Sequence, residues 1–315
     1  MPVAPRPLAL LPLALLLACQ PERNASEIPD QDLGAAEDEG EAPLVFNADD
    51  RLSAPAGQWA LFHEDHHCLA AVGDTIENVV STWFRVDIED LSGPPANAGD
   101  PRLQRESARL CNQEISPVLF DLVSHIPQAI PESMAPVVTD STLLGEDAGD
   151  AYVSGLQLDL WGVAGVTEDD EMPTEGDDPR VTDQEGDDSP GATISLWDAD
   201  GNDGCFISIV QRTTARRTGK IIDASRIEGS FIGDLTQRVL EATSPLCASD
   251  NAITDGGRPS RFVLLRIDGN AGSPDLDSNG DANVSCGELL SASSALLASA
   301  DFTRQPRKDE VCVTP

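Results

Sequence analysis

Thr82-Trp83-Phe84-Arg85-Val86-Asp87-Ile88 sets Phe84, Val86 and Ile88 against Arg85 and Asp87 in strict alternation. A period of two sends successive side chains to opposite faces, which marks a half-buried strand. Leu156-Gln157-Leu158-Asp159-Leu160 alternates in the same way. Outward from these two segments, short apolar runs bounded by Gly, Pro, Asn and Asp recur at 59–62, 118–123, 193–197, 205–211, 229–232, 238–242 and 261–267. Strands that follow one another without long intervening helices predict a mainly β chain, built as antiparallel β-sandwich or barrel-like regions. Segments 102–112 and 288–300 read as helices, the second a short C-terminal one.

The N-terminus carries one positive residue, Arg6, before an apolar run at 8–18 that is too short to span a bilayer. Its length and flanks fit a secretory signal. Leu16-Leu17-Ala18-Cys19 resembles the lipobox of bacterial lipoproteins. That resemblance implies cleavage after residue 18 and lipid on Cys19, with multiple acyl chains making a firm membrane anchor. Gln20 in place of Asp after the cysteine implies sorting to the outer membrane of a cell envelope.

The 315 residues carry 55 acidic and 20 basic side chains, a net charge of −35, which repels phosphate backbones and argues against a nucleic-acid partner. Acidic residues crowd 22–50 and 168–188, where no hydrophobic period is found. Charge of one sign with little to bury keeps such segments solvated. The expected organisation is a signal peptide at 1–18, an acidic tether at 19–54, a β-rich region at 55–166, an acidic linker or loop at 167–190 and a second β-rich region at 191–315.

Setting Cys19 aside leaves six cysteines in a compartment that permits disulfides. Because the acidic segment separates the first two from the rest, the expected pairs are Cys68–Cys111, Cys205–Cys247 and Cys286–Cys312. None has the Cys-x-x-Cys spacing of a metal site.

Residues 277–288 resemble the twelve-residue EF-hand loop. The resemblance implies a Ca²⁺ site in which Asp277, Asn279 and Asp281 supply side chains, Asn283 its carbonyl, Ser285 a direct or water-borne contact, and Glu288 both carboxylate oxygens. Ala282 stands where the family has a glycine, and no second loop exists to pair with. Asp198-Ala199-Asp200-Gly201-Asn202-Asp203-Gly204 begins similarly but reads as a hairpin turn.

His63-Glu64-Asp65-His66-His67 satisfies the zincin pattern, in which His63 and His67 would hold Zn²⁺ and Glu64 would activate water. That chemistry needs a helix to bring both histidines to one face, whereas the surrounding residues read as a strand running into a polar turn at Cys68. Gly57-Gln58-Trp59 resembles the Gly-x-Trp that starts the first lipocalin strand, with nothing further along to reinforce it. No nucleophile elbow, phosphate loop or dinucleotide fingerprint is present. The leading expectation is a calcium-braced, lipid-anchored, non-enzymatic envelope module. A zinc-dependent hydrolase is the alternative, and a carbohydrate-binding sandwich using Trp83, Trp161 or Trp197 is a third reading.

Overall fold

A computed structural model describes residues 44–312 apart from 72–73, 94–95, 98, 116–122, 198–202, 245–246, 249–251 and 255–257. Cys19 and the lipobox lie outside these residues, as does most of the expected tether.

Among the described residues, twelve strands form one antiparallel sheet. They are β1 (Gly57–Ala71), β2 (Asp74–Asp90), β3 (Arg102–Ile115), β4 (Val123–His125), β5 (Val137–Leu143), β6 (Ala151–Ser154), β7 (Gln157–Trp161), β8 (Ala192–Trp197), β9 (Asp203–Asp223), β10 (Arg226–Ala242), β11 (Ala252–Thr254) and β12 (Ser260–Arg266). A short helix α1 (Ala129–Ser133) precedes β5, and α2 (Cys286–Ser291) and α3 (Ser293–Ser299) follow the last strand. The pairings run β10–β12–β1–β2–β3–β5–β6–β9, and β9 pairs β10 again, so the hydrogen-bond path returns to its start. Strands from both β-rich stretches of sequence therefore share one sheet. The side strands β7 and β8 extend the edge of β9, and β4 pairs β8.

The alternation at 82–88 is met in β2, where Phe84, Val86 and Ile88 face the larger of two main apolar clusters. Trp59 and Leu61 of β1 join that inner cluster, with Ile221, Ile227, Phe262 and Leu264. The opposite face of β1 and β12 offers Ala60, Phe62, Val263 and Leu265, and onto these pack Leu289, Leu296 and Leu297 of α2 and α3. The C-terminal helix expected at 288–300 is thus present, split in two at Ala292.

The segment at 102–112 is strand β3, not a helix. Arg102, Gln104 and Glu106 alternate with exposed residues and are all buried, so its period of two is carried by polar side chains. Hydropathy alone does not reveal such a pattern.

Gly57 is positioned by what lies beside it. At φ 142°, a Cβ there would come within 2.1 Å of Asp268 Oδ2 and 2.8 Å of Arg266 Nη2. The space admits Arg266, whose Nη2 donates to Ala56 O at 2.7 Å and whose guanidinium lies 5.7 Å from the Trp59 ring centroid. The stretch that leads into β1 is docked: Leu52 is fully buried, and Leu44 and Phe46 pack against the outer cluster. The acidic segment at 167–190 also folds back on the body. Met172 and Val166 pack on Val210, and Arg212 Nη1 donates to Thr167 O at 2.9 Å and Asp170 O at 2.7 Å.

Two of the three expected disulfides are replaced by others. The bonds are Cys68–Cys312, Cys111–Cys286 and Cys205–Cys247, of which only the last was expected. The reason is topological. Pairing of β12 with β1 brings the C-terminal segment over the outer face of β1 and β3, so the acidic segment does not insulate the early cysteines from the late ones. No helix among the described residues is long and apolar enough to cross a membrane.

Candidate functional site in the sheet interior

The zincin reading fails on geometry. His63 and His67 lie in β1, where both project inward and Glu64 projects outward. Glu64 accepts from the backbone N–H of Gln305 at 2.9 Å and from Arg261, under the C-terminal tail. The expected polar turn at Cys68 is absent too, since β1 continues to Ala71.

The calcium loop is likewise corrected. Asp277 accepts the N–H groups of Gly280, Asp281 and Ala282, and Asp281 accepts that of Asn283. Asn279 accepts from Asp281 N, and the Asn283 side chain accepts from Gln58 Nε2 at 3.0 Å and Arg85 Nη1 at 2.9 Å. Glu288 forms a capping box with Ser285 and accepts from Ser278 Oγ at 2.6 Å. Those bonds from Ser278 and Ser285 hold the Glu288 carboxyl down at about 2. The oxygens that were expected to meet an ion meet the backbone and one another's hydroxyls instead. Among the described residues, no three His, Cys, Asp or Glu side chains are grouped so that they could hold a metal ion. This overturns both the Ca²⁺ and the Zn²⁺ expectations.

What β1 does contribute is the wall of a cavity on the inner face. Its volume is about 40 Å³, room for about two or three waters or a few heavy atoms. His63, Asp65 and His67 line it from β1, Thr82 and Phe84 from β2, Asp159 and Trp161 from β7, and Phe231 from β10. The His63 ring stacks on Phe231 with centroids 4.5 Å apart and meets Phe84 edge-on at 5.3 Å. Burial pushes the His63 imidazole down to about 3, and the Arg217 guanidinium adds to the effect, so the ring is neutral at ordinary pH.

His67 Nε2 lies 2.6 Å from Asp65 Oδ2. Burial is the largest single influence and opposes charge on both groups, but the close pairing of opposite charges, together with the Ser260 hydroxyl on Asp65 and the Asp234 carboxylate acting on His67, outweighs it, lowering the Asp65 carboxyl and raising the His67 imidazole. Ser260 donates to the other Asp65 oxygen. Asp159 differs. One of its oxygens accepts from Gln157 Nε2 at 2.9 Å, while Oδ1 has no hydrogen-bond partner among the described residues. Burial raises its carboxyl to about 6. His63 Nε2 is also without a partner.

No family model, curated protein or solved structure matches this chain. The site therefore has to be read from its own chemistry.

Beside the cavity runs a fully buried polar chain. Tyr152 donates to Glu106 Oε1 at 2.7 Å, and Arg217 Nη2 donates to Glu106 Oε2 at 2.6 Å. Arg217 keeps Nε and Nη1 unpartnered, and its charge acts on both His63 and Asp159. Sequence reading singled out His63 and His67 here, for the wrong chemistry, named Trp161 only for a carbohydrate groove, and missed Asp159 and Phe231 as site residues. Gln157 and Asp159 were legible as alternating positions, but hydropathy assigns the leucines between them to the core. In β7 the polar residues are the buried ones. Of the tryptophans of the carbohydrate reading, Trp161 is buried on the inner side and Trp83 on the outer side, 4.8 Å from Phe62, so these two share no open face, and the Trp197 side chain lies outside what the structure describes.

Proposed function

We propose that the protein is a lipid-anchored envelope protein whose sheet closes into an eight-stranded up-and-down β-barrel, and that the barrel interior binds a small molecule. The architectural part is supported by the order of the closed path. β1, β2, β3, β5, β6, β9, β10 and β12 succeed one another in chain order, each antiparallel to the next, and β12 pairs back to β1. Barrels of this size, among them lipocalins, either fill with side chains or hold one small ligand. Arg266 of β12 lies over Trp59 of β1 and reaches Ala56 O beside Gly57, which ties the last strand of the path to the first in support of that reading.

The observation that carries the binding function is the cavity with Asp159 Oδ1 and His63 Nε2 unpartnered in its wall. Buried polar atoms are nearly always hydrogen-bonded, and each exception calls for a water, an ion or a ligand.

Anchoring through lipid on Cys19 rests on the lipobox resemblance, and extracytoplasmic location is supported by three disulfides among the described residues. The outer membrane is the proposed address, and nucleic acid is not a partner at a net charge of −35.

The test of binding is a thermal-shift panel of small polar compounds on the purified full-length chain, repeated on Thr213→Phe, which fills the cavity. A compound that raises the melting temperature of wild type and not of Thr213→Phe supports the reading; a panel in which no compound distinguishes the two overturns it. Cys19→Ser tests the anchor, with loss of the protein from the membrane fraction expected.

A further inference from the structure

The cavity wall and the polar chain beside it together carry an excess of negative charge. Asp65 is set against His67, and Glu106 against Arg217, while His63 is neutral. Asp159 is left as the carboxylate without a counter-charge bonded to it, only 7% exposed, with Oδ1 unpartnered in the cavity wall. An uncompensated buried carboxylate is costly, and either a proton or a cation relieves it. The remaining wall is suited to a cation. Phe84, Trp161 and Phe231 contribute rings, and ring faces attract positive charge, more strongly when it is desolvated. An anion would find the unused Arg217 N–H groups but would have to approach Asp159, and gains nothing from the rings.

We propose that the interior site binds a small organic ammonium ion, with an N–H donated to Asp159 Oδ1 and its alkyl part against Trp161 and Phe231. This deepens the small-molecule reading and rests on it. The cavity volume of about 40 Å³ limits the ligand to a few heavy atoms, the size class of a short primary amine. A bare inorganic cation would leave the aromatic walls without van der Waals partners. Nor do three His, Cys, Asp or Glu side chains converge among the described residues to hold it.

The experiment uses the full-length chain at pH 7.5 with methylammonium and ethylammonium chloride, sodium and potassium chloride at equal ionic strength, and methanol and ethanol as neutral analogues. At tenfold excess over a millimolar dissociation constant, the ammonium salts should raise the melting temperature by about 3–5 °C beyond sodium chloride. The shift should vanish in Asp159→Asn. In wild type, the methyl protons of methylammonium should give nuclear Overhauser effects to ring protons of Trp161 and Phe231, which keeps the test decisive if the variant does not fold.

Equal shifts by sodium or potassium overturn the inference, as does an ammonium shift that persists in Asp159→Asn. If the alcohols bind and the ammonium ions do not, the ligand class is wrong and the binding cavity stands. If neither class shifts the melting temperature or contacts the rings, a proton on Asp159 is the only neutralising species. The inference then fails, and the wider binding reading falls separately if the panel and Thr213→Phe also show nothing.

Discussion

Arg217 donates from Nη2 to Glu106 Oε2 across 2.6 Å, and neither side chain is more than 1% exposed. Tyr152 closes the other Glu106 oxygen, so the carboxylate is fully used while the guanidinium is not. Breaking a buried pair by removing one member leaves an uncompensated charge, which costs about 3–5 kcal/mol. Glu106→Gln should therefore lower unfolding free energy by about that amount in urea melts. The apolar triple variant Glu106→Leu, Arg217→Met and Tyr152→Phe should lose much less than the sum of the single changes, because no member is left unpaired. Additive losses would mean that the three side chains do not act as one unit.

The disulfides offer a direct test of the topology. Non-reducing peptide mapping should recover Cys68 linked to Cys312 and Cys111 linked to Cys286. These bonds close separations of 244 and 175 residues, so each should contribute at the upper end of the usual range, about 5 kcal/mol by chain entropy. Cys111→Ser with Cys286→Ser should shift the urea midpoint accordingly. Peptides joining Cys68 to Cys111 would contradict the placement of the C-terminal segment over β1 and β3.

Period two at 82–88 was legible because β2 has apolar residues on the inner face and charged ones between them. β3 was not, because Arg102, Gln104 and Glu106 occupy the inward positions usually held by valine or leucine. The same inversion hid Asp159. His63-Glu64-Asp65-His66-His67 is polar throughout and yet buried on both sides, with the cavity on one face and the C-terminal tail on the other. No local pattern announces a strand sandwiched in this way. The loop at 277–288 shows the converse failure. Spacing of Asp277, Asn279, Asp281 and Glu288 matched a cation loop, but the same offsets serve Asx turns and a capping box, and those bonds are what the side chains make.

Arg266 should prove to be a stability determinant where the end of β12 pairs with the start of β1. Its guanidinium donates to the carbonyls of Ala54 and Ala56, pairs with Asp268 at 2.8 Å and covers the Trp59 ring. Arg266→Ala takes the donor from two carbonyls and the counter-charge from Asp268, which keeps its bonds from the Gln58 and Asn270 N–H groups, so a loss of about 2–4 kcal/mol is expected in denaturant melts. Arg266→Lys should recover little, since a single ammonium cannot reproduce a planar fork that reaches both carbonyls and the carboxylate. Full recovery by lysine would show that charge alone matters there.

The cavity's two unpartnered groups should pull stability in opposite directions with pH. His63 is held at about 3 against an ordinary 6.5, so its contribution is complete above pH 6.5 and is lost as pH falls toward 3, reaching about 3 kcal/mol by pH 4. Asp159 is raised to about 6 against an ordinary 3.8, so its contribution is complete below about pH 4 and is lost as pH rises through 6, again about 3 kcal/mol. Between pH 4 and 6 the two nearly offset each other in wild type. His63→Phe keeps an aromatic ring against Phe231 and removes the acid-side loss, so its stability should fall as pH rises from 4 to 6.5. Asp159→Asn removes the other loss, so its stability should climb over the same interval and exceed wild type at pH 7. Melting curves at half-unit steps of pH measure both slopes. Parallel profiles for the two variants would mean that neither group titrates inside the sheet as its surroundings require.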